Sequence, residues 1–315
     1  MTRNPAWASI AERAEVVVFD HPFGSEDEAA RMLEPFDAVC LVRERLAFPA
    51  SLIERLPRLR FLAFTGARNP SCDHEAAARR GIPVANTPGG PSKASTAETA
   101  WALILAGMRS LVRADAGLRA GHWREDASGQ RFPVPAVLEG ERLGLLGLGD
   151  IGQRVGRVGS AFGMEVVAWS PNLTEERARA GGARLVSKAE LFSSSRVVSI
   201  SLVLSARTRG IVGAAELASM RADAMIVNTS RAGLMPQAAL KAALLAGRPG
   251  HAGLDVFEIE PAGPELDLLG MPQVTLSPHL GYVNGAVLDA FSAGLAEVSA
   301  AWLDGHPTRV INAVT

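Results

Sequence analysis

Three polar side chains stand just past short apolar runs. Arg231 follows "AMIVN" (224–228) in the stretch "AMIVNTSRAGL", Glu260 follows "HAGLDV" (251–256) in "LDVFEIEP", and His279 follows "QVTLS" (273–277) in "LSPHLGY". Arginine is almost never fully buried without a partner, and its planar fork of donors suits a carboxylate. Imidazole gives and accepts protons near neutral pH, and a carboxylate beside it favours the protonated form. An open α/β sheet binds ligands beyond the carboxyl ends of its strands. If these three runs are such strands, an anion binder, a proton donor and an orienting carboxylate converge there. That set suits proton transfer to a carbonyl oxygen. Taken singly, each residue has a plainer reading: Arg231 as an ion-pair partner, His279 as a cap, Glu260 as a solvated loop carboxylate. Asp255, at the end of the same run as Glu260, also reads as a turn cap.

A second constellation tells what kind of co-reactant sits beside them. "LGLLGLGDIGQRVG" spaces Gly147, Gly149 and Gly152 as G-x-G-x-x-G, after an apolar strand and before a helix. Gly147 permits the tight turn, Gly149 lets a pyrophosphate approach the backbone, and Gly152 lets helix pack on strand. Free N–H groups at the helix start meet phosphate charge. Asp150 and Ile151 complete the loop, with Asp150 expected to point to solvent. The helix is expected to bury Ile151, Val155, Val158 and Phe162 on one face. An acidic residue is expected about twenty positions on, to bind the ribose of NAD. Ser170 and Asn172 stand there instead, and no arginine immediately follows. NAD or NADP therefore stays open, with NAD favoured slightly.

Positioning these groups takes alternating strands and helices. In the first hundred residues the expected strands are "EVVVF" (15–19), "AVCLV" (38–42), "FLAF" (61–64) and "PVAN" (83–86), with a helix near 71–80. After the breaker cluster "PGGPSK" (88–93), one long helix is expected from about 94 to 120, then a loop with Pro133 and Pro135. A second series runs "RLGLLG" (142–147), "EVVAWS" (165–170), "ARLV" (183–186), "VVSIS" (197–201), followed by the three runs above. An Ala-rich helix spans about 284–304. Strand–helix repetition implies α/β architecture with parallel sheets covered on both faces, and two doubly wound domains.

The chain has 315 residues, with 32 Lys+Arg against 33 Asp+Glu, and no basic block marks a nucleic-acid surface. Every apolar run of about 18 residues is interrupted by charged or breaker residues, so no membrane span is expected. Residues 1–20 lack an apolar signal region, which reads as a mature cytoplasmic chain. Cys40 and Cys72 read as buried small hydrophobes, with no metal cluster. Trp101 reads as packing.

Together, the glycine fingerprint, Arg231, Glu260 and His279, with "FLAFTGARNPSCDHEAAARRGIPVANTPGG" and "SKASTAETAWALILA", resemble the D-isomer-specific 2-hydroxyacid dehydrogenases over nearly the whole chain. The resemblance implies a Rossmann-type cofactor domain over 98–284. It also implies a flavodoxin-like, discontinuous substrate domain over 1–97 and 285–315. It implies NAD(P)-dependent interconversion of a small 2-keto acid, of the glyoxylate or hydroxypyruvate type, and its D-2-hydroxy acid. Arg231 would bind the carboxylate and keto oxygen, His279 would be the proton donor and acceptor, and Glu260 would hold the imidazole. Backbone N–H groups of Thr65, Gly66, Ala67, Arg68 and Asn69 would hold the substrate carboxylate. Asp255 would lie by the nicotinamide; Thr208, Thr229, Ser230 and Gly281 would join Ser170 and Asn172 on the cofactor side. A homodimer paired through the long helix and the Pro-containing arm is expected. The chain departs from the family at Ala232, Pro236 and Ser201. The alternative is a catalytically weak NAD(H)-sensing protein on the same fold.

Overall fold

The computed structural model describes residues 4–132 and 137–313. Pro133 and Pro135 lie outside the described residues. The chain divides into two compact units, Met1–Pro91 with Asn284–Thr315, and Ser92–Val283.

The second unit is built on strands β4 (Arg142–Leu146), β5 (Glu165–Trp169), β6 (Arg184–Leu185), β7 (Val197–Ile200), β8 (Met225–Asn228), β9 (His251–Leu254) and β10 (Val274–Leu276). They form one parallel sheet in the order β10-β9-β8-β7-β4-β5-β6. Leu146 at the end of β4 registers with Trp169 on one side and Ile200 on the other, so the order reverses at this strand. β8, β9 and β10 are consecutive neighbours, which brings the three segments after them to one edge. The strands read as continuous apolar runs because both faces are covered: Phe192, Leu217 and Leu240 lie in one buried cluster, and Trp101, Ile104 and Val155 in another.

The expected helix over 94–120 is two helices, Ser92–Met108 and Leu111–Arg119. Ser110 between them takes a left-handed conformation, with φ +51°. One such residue ends an α-helix, and periodicity does not reveal it. The glycine-loop helix, Asp150–Ala161, also buries a different face from the expected one. Gly152, Val155, Gly156 and Gly159 are inside, while Val158 and Phe162 are about two-fifths exposed, at 40% and 41%. Glycines pack here because the neighbours come too close for a side chain: a Cβ on Gly159 would fall 2.5 Å from Leu143 Cδ2.

The first unit holds a parallel three-stranded sheet, β1 (Ala38–Leu41), β2 (Phe61–Phe64) and β3 (Val84–Asn86), in that order. "EVVVF" is not a strand. Val16, Val17 and Val18 are exposed and join no ladder, and only Phe19 packs, its ring 5.2 Å from that of Phe23. Apolar content alone does not make a strand; the backbone needs a neighbour to accept its hydrogen bonds. The helix Gly285–Leu303 is long and apolar enough to cross a membrane. In the structure Phe61, Ala63 and Ala85 share a buried cluster with its Leu295, Ala296 and Val298. The tail after it lies along β3, with Ile311 N–H donating to Val84 O at 2.9 Å.

Candidate functional site

The glycine loop connects β4 to its helix at the point where strand order reverses. Gly147 has φ +104°, and its N–H donates to Trp169 O at 2.9 Å. A Cβ on Gly152 would fall 2.2 Å from Gly147 O, so helix and turn touch backbone to backbone. A Cβ on Gly149 would meet nothing within 4 Å, which leaves open space over the loop. Asp150 is exposed as expected, but it is also ion-paired with Lys93. The hydrogen bond and charge of Lys93, with the charge of Arg154, hold its carboxyl below the usual carboxylate range. Lys93 thus offsets a negative charge at a helix start suited to phosphate. Ile151 is half-buried beside the second core cluster.

Beyond β8 the chain folds on its own side chains. Ser230 N–H donates to Asn228 Oδ1 at 3.0 Å, Asn228 Nδ2 donates to Arg231 O at 3.1 Å, and Ser230 Oγ donates to Ile200 O at 2.9 Å. This sets Arg231 half-buried, with Nη1 donating to Ser230 O at 2.7 Å. Thr229 is 7% exposed, and its Oγ1 has no hydrogen-bond partner among the described residues. An orphaned buried hydroxyl is costly unless something else satisfies it. Open space over Gly149 and this hydroxyl at the same strand edge fit a bound dinucleotide.

Beyond β9 and β10, His279 Nδ1 lies 2.6 Å from Glu260 Oε2, and Glu260 Oε1 accepts from Phe257 N–H at 2.8 Å. Burial pushes the Glu260 carboxyl up. The hydrogen bonds from His279 and Phe257, with the charges of His279 and Arg231, outweigh it and leave the group below its ordinary value. A carboxylate at this distance is an anchor for an imidazolium. His279 has φ +56°, and the Tyr282 ring meets it edge-on at 5.8 Å.

Asp255 is 1% exposed, and both its oxygens are occupied. Oδ1 accepts from Ser277 Oγ at 2.7 Å and Leu280 N–H at 2.8 Å; Oδ2 accepts from Gly281 N–H at 2.8 Å. Asp255 and Gly281 therefore hold the His279 loop in place, which is the turn-capping reading of Asp255. Thr208 is likewise occupied: its Oγ1 accepts from Ser205 N–H at 2.8 Å and donates to Val203 O at 2.7 Å. Ser170 is half-buried and Asn172 exposed.

In the first unit, the loop after β2 has fewer amides to offer than its sequence implies. Thr65 N–H donates to Leu41 O at 3.0 Å, and Gly66 N–H to Thr87 Oγ1 at 3.0 Å. Among the described residues, the N–H groups of Ala67, Arg68 and Asn69 make no hydrogen bond. Asn69 is buried and ties the loop to Arg43 O at 3.0 Å through its side chain. No sequence motif marks Asn228, Thr87 or Ser277; Lys93 is visible only as a cation in the breaker cluster before the long helix.

The family model of the D-isomer specific 2-hydroxyacid dehydrogenase NAD binding domain matches residues 101–281. The chain belongs to the D-isomer-specific 2-hydroxyacid dehydrogenase family. It is 40% identical over 264 residues to a glyoxylate reductase of Aeropyrum pernix, covering 83% of this chain and 78% of that one. It is 34% identical over 256 residues to a D-3-phosphoglycerate dehydrogenase of Archaeoglobus fulgidus, covering 81% of this chain but only 47% of that longer protein. A crystal structure of a phosphoglycerate oxidoreductase from Vibrio cholerae superposes with a TM-score of 0.89 at 34% identity, over 96% of this chain and 95% of that one. The protein is thus an NAD- or NADP-dependent enzyme of the 2-hydroxyacid dehydrogenase type, with a Rossmann cofactor domain.

Proposed function

We propose that this enzyme reduces a small 2-keto acid to its D-2-hydroxy acid, or runs the reverse, with His279 as proton donor and acceptor. The observation that supports this most directly is the 2.6 Å contact between His279 Nδ1 and Glu260 Oε2. It orients the ring, leaving Nε2 to hold the transferable proton. When bound, NADH or NADPH supplies the hydride that reaches C2 of the keto acid. As the carbonyl oxygen gains negative charge, His279 protonates it. Arg231 binds the substrate carboxylate and keto oxygen with its planar fork. Ala67, Arg68 and Asn69 offer the free amides of the loop Thr65–Asn69 to a carboxylate. Gly147, Gly149, Ile151 and Gly152 form the pyrophosphate cradle, Thr229 and Ser230 line it, and Asp255 with Gly281 positions the His279 loop.

Glyoxylate and hydroxypyruvate are the substrates favoured, because no cluster of added cations marks a phosphorylated acid. Incubation with reduced cofactor and a panel of glyoxylate, hydroxypyruvate and pyruvate tests this, read as loss of nicotinamide absorbance. Turnover with one of the first two is expected. Cofactor binding without turnover on any 2-keto acid overturns it. We also propose a homodimer. Leu111, Val112 and Leu118 of the helix Leu111–Arg119 are each 60% exposed, and Trp123 beyond it is 73% exposed, an apolar face that suits a second copy. A monomer mass by light scattering at micromolar concentration overturns that.

A further inference from the structure

No carboxylate follows β5 where a ribose-binding acid is expected, and the structure shows what stands there instead. Trp169 O accepts from Gly147 N–H, so the chain leaving β5 starts beside the glycine loop. Leu173 N–H donates back to Ser170 O at 3.1 Å, turning the chain into the helix Glu175–Ala180. The end of that helix abuts the same loop: a Cβ on Gly181 would fall 2.7 Å from Leu148 Cδ2. One turn earlier, Arg177 folds its guanidinium back onto the turn that follows β5, with Nη1 donating to Asn172 O at 3.2 Å. Among the described residues Arg177 makes no ion pair; Glu175, in the same helix, pairs with Arg179 at 3.1 Å. An exposed guanidinium is thus folded back on the turn that carries Ser170 and Asn172.

We propose that Arg177, with Ser170 and Asn172, is a subsite for the 2′-phosphate of the cofactor and makes this enzyme prefer NADP(H) to NAD(H). This rests on the reading of the glycine loop as the dinucleotide site. A ribose 2′-phosphate is a dianion of strong acceptors, and a guanidinium fork is the side chain that matches it best. An acid at the end of this strand repels that phosphate, whereas Ser170 and Asn172 donate to it without adding charge. Arg177 is solvent-exposed, so screening keeps the gain modest. The expected preference is on the order of tenfold, about 1.4 kcal/mol. Arg177 lies five residues beyond Asn172 in the chain, and only the helical turn returns it to that residue.

The test compares ligands that differ only in that phosphate. Calorimetric titration with adenosine 2′,5′-bisphosphate and with AMP, alongside NADPH and NADH followed by tryptophan fluorescence, reads selectivity without catalysis. The wild type is expected to bind the bisphosphate about tenfold more tightly than AMP. In Arg177→Ala that ratio should fall to about one through loss of bisphosphate affinity, with thermal unfolding unchanged. Arg177→Lys should keep part of it, and Ser170→Asp should invert it. Equal binding of the two nucleotides by the wild type, or an unchanged ratio in Arg177→Ala, overturns the proposal while leaving the dinucleotide site intact. If none of the four ligands binds, the reading of the glycine loop falls, and this proposal with it.

Discussion

Asp255 Oδ2 accepts the N–H of Gly281 at 2.8 Å, while its other oxygen accepts the N–H of Leu280 and the hydroxyl of Ser277. A buried carboxylate is thus wrapped by the loop that carries His279 in a left-handed conformation. An Asn at this position has one acceptor oxygen and leaves a buried N–H unmet, which costs about 1–3 kcal/mol. Asp255→Asn should lower the urea midpoint by that order. Its loss of turnover should exceed any loss of NADH or NADPH affinity, because Asp255 positions His279 rather than touching substrate. Unchanged stability and unchanged turnover count against the positioning role.

The His279–Glu260 pair predicts a pH signature. His279→Ala should lose on the order of 10²-fold or more in turnover, with cofactor binding held. Arg231→Ala should chiefly raise the keto-acid KM, with some loss of rate through misorientation. In Glu260→Gln the carboxylate 2.6 Å from the ring becomes a neutral amide, so turnover should fall through a less well-oriented imidazole while cofactor binding holds. Glu260 has a folded-state pKa below its unfolded value. Its contribution to stability is therefore present above the ordinary carboxylate range and lost as pH falls through the lowered value. The stability gap between wild type and Glu260→Gln should shrink on acidification. A gap independent of pH, with unchanged turnover in Glu260→Gln, contradicts the pairing.

Two glycines of one loop should respond oppositely to alanine. At Gly149 the added methyl meets open space in the protein, so Gly149→Ala should fold within about 0.5 kcal/mol of wild type yet lose at least about tenfold in cofactor affinity. At Gly152 the methyl would fall 2.2 Å from Gly147 O, so Gly152→Ala should destabilise by about 1–3 kcal/mol and disorder the turn as well. Thermal unfolding and cofactor titration separate the two. Full affinity in Gly149→Ala places the pyrophosphate elsewhere.

Cys72 should be inert in the folded protein. Burial, and then the charge of Asp73, push its thiol up to about 11. At pH 8 the thiolate is then on the order of a thousandth of the total. Burial raises Cys40 too, against a weaker opposing contact from Ser299. Iodoacetamide should label neither at a useful rate until denaturant is added, which mass spectrometry reads directly. Rapid modification of Cys72 in the native protein contradicts this burial.

The parts of this protein legible in its sequence are those whose cause is local. Gly147, Gly149 and Gly152 must be glycines because the chain turns and the helix begins within a few residues. Arg231, Glu260 and His279 follow apolar runs because parallel strands end there, and only a strand end can aim such groups at one edge. Other features depend on residues distant in the chain. Val16–Val18 have the composition of a strand, but no neighbouring strand receives them. The helix after the glycine loop buries Gly156 and Gly159 rather than Val158 and Phe162, because Leu143 and Leu145 of the sheet approach too closely for larger side chains. Asp255 reads equally well as a ligand contact or a turn cap until Ser277, Leu280 and Gly281, more than twenty residues on, are seen to occupy its oxygens. Arg177 is one charge among several in a short helix until a single turn of that helix returns it to Asn172. Bond geometry and propensity act over a few residues and are written in the chain. Packing and hydrogen-bond partnership join residues remote in sequence, and only the folded structure decides them.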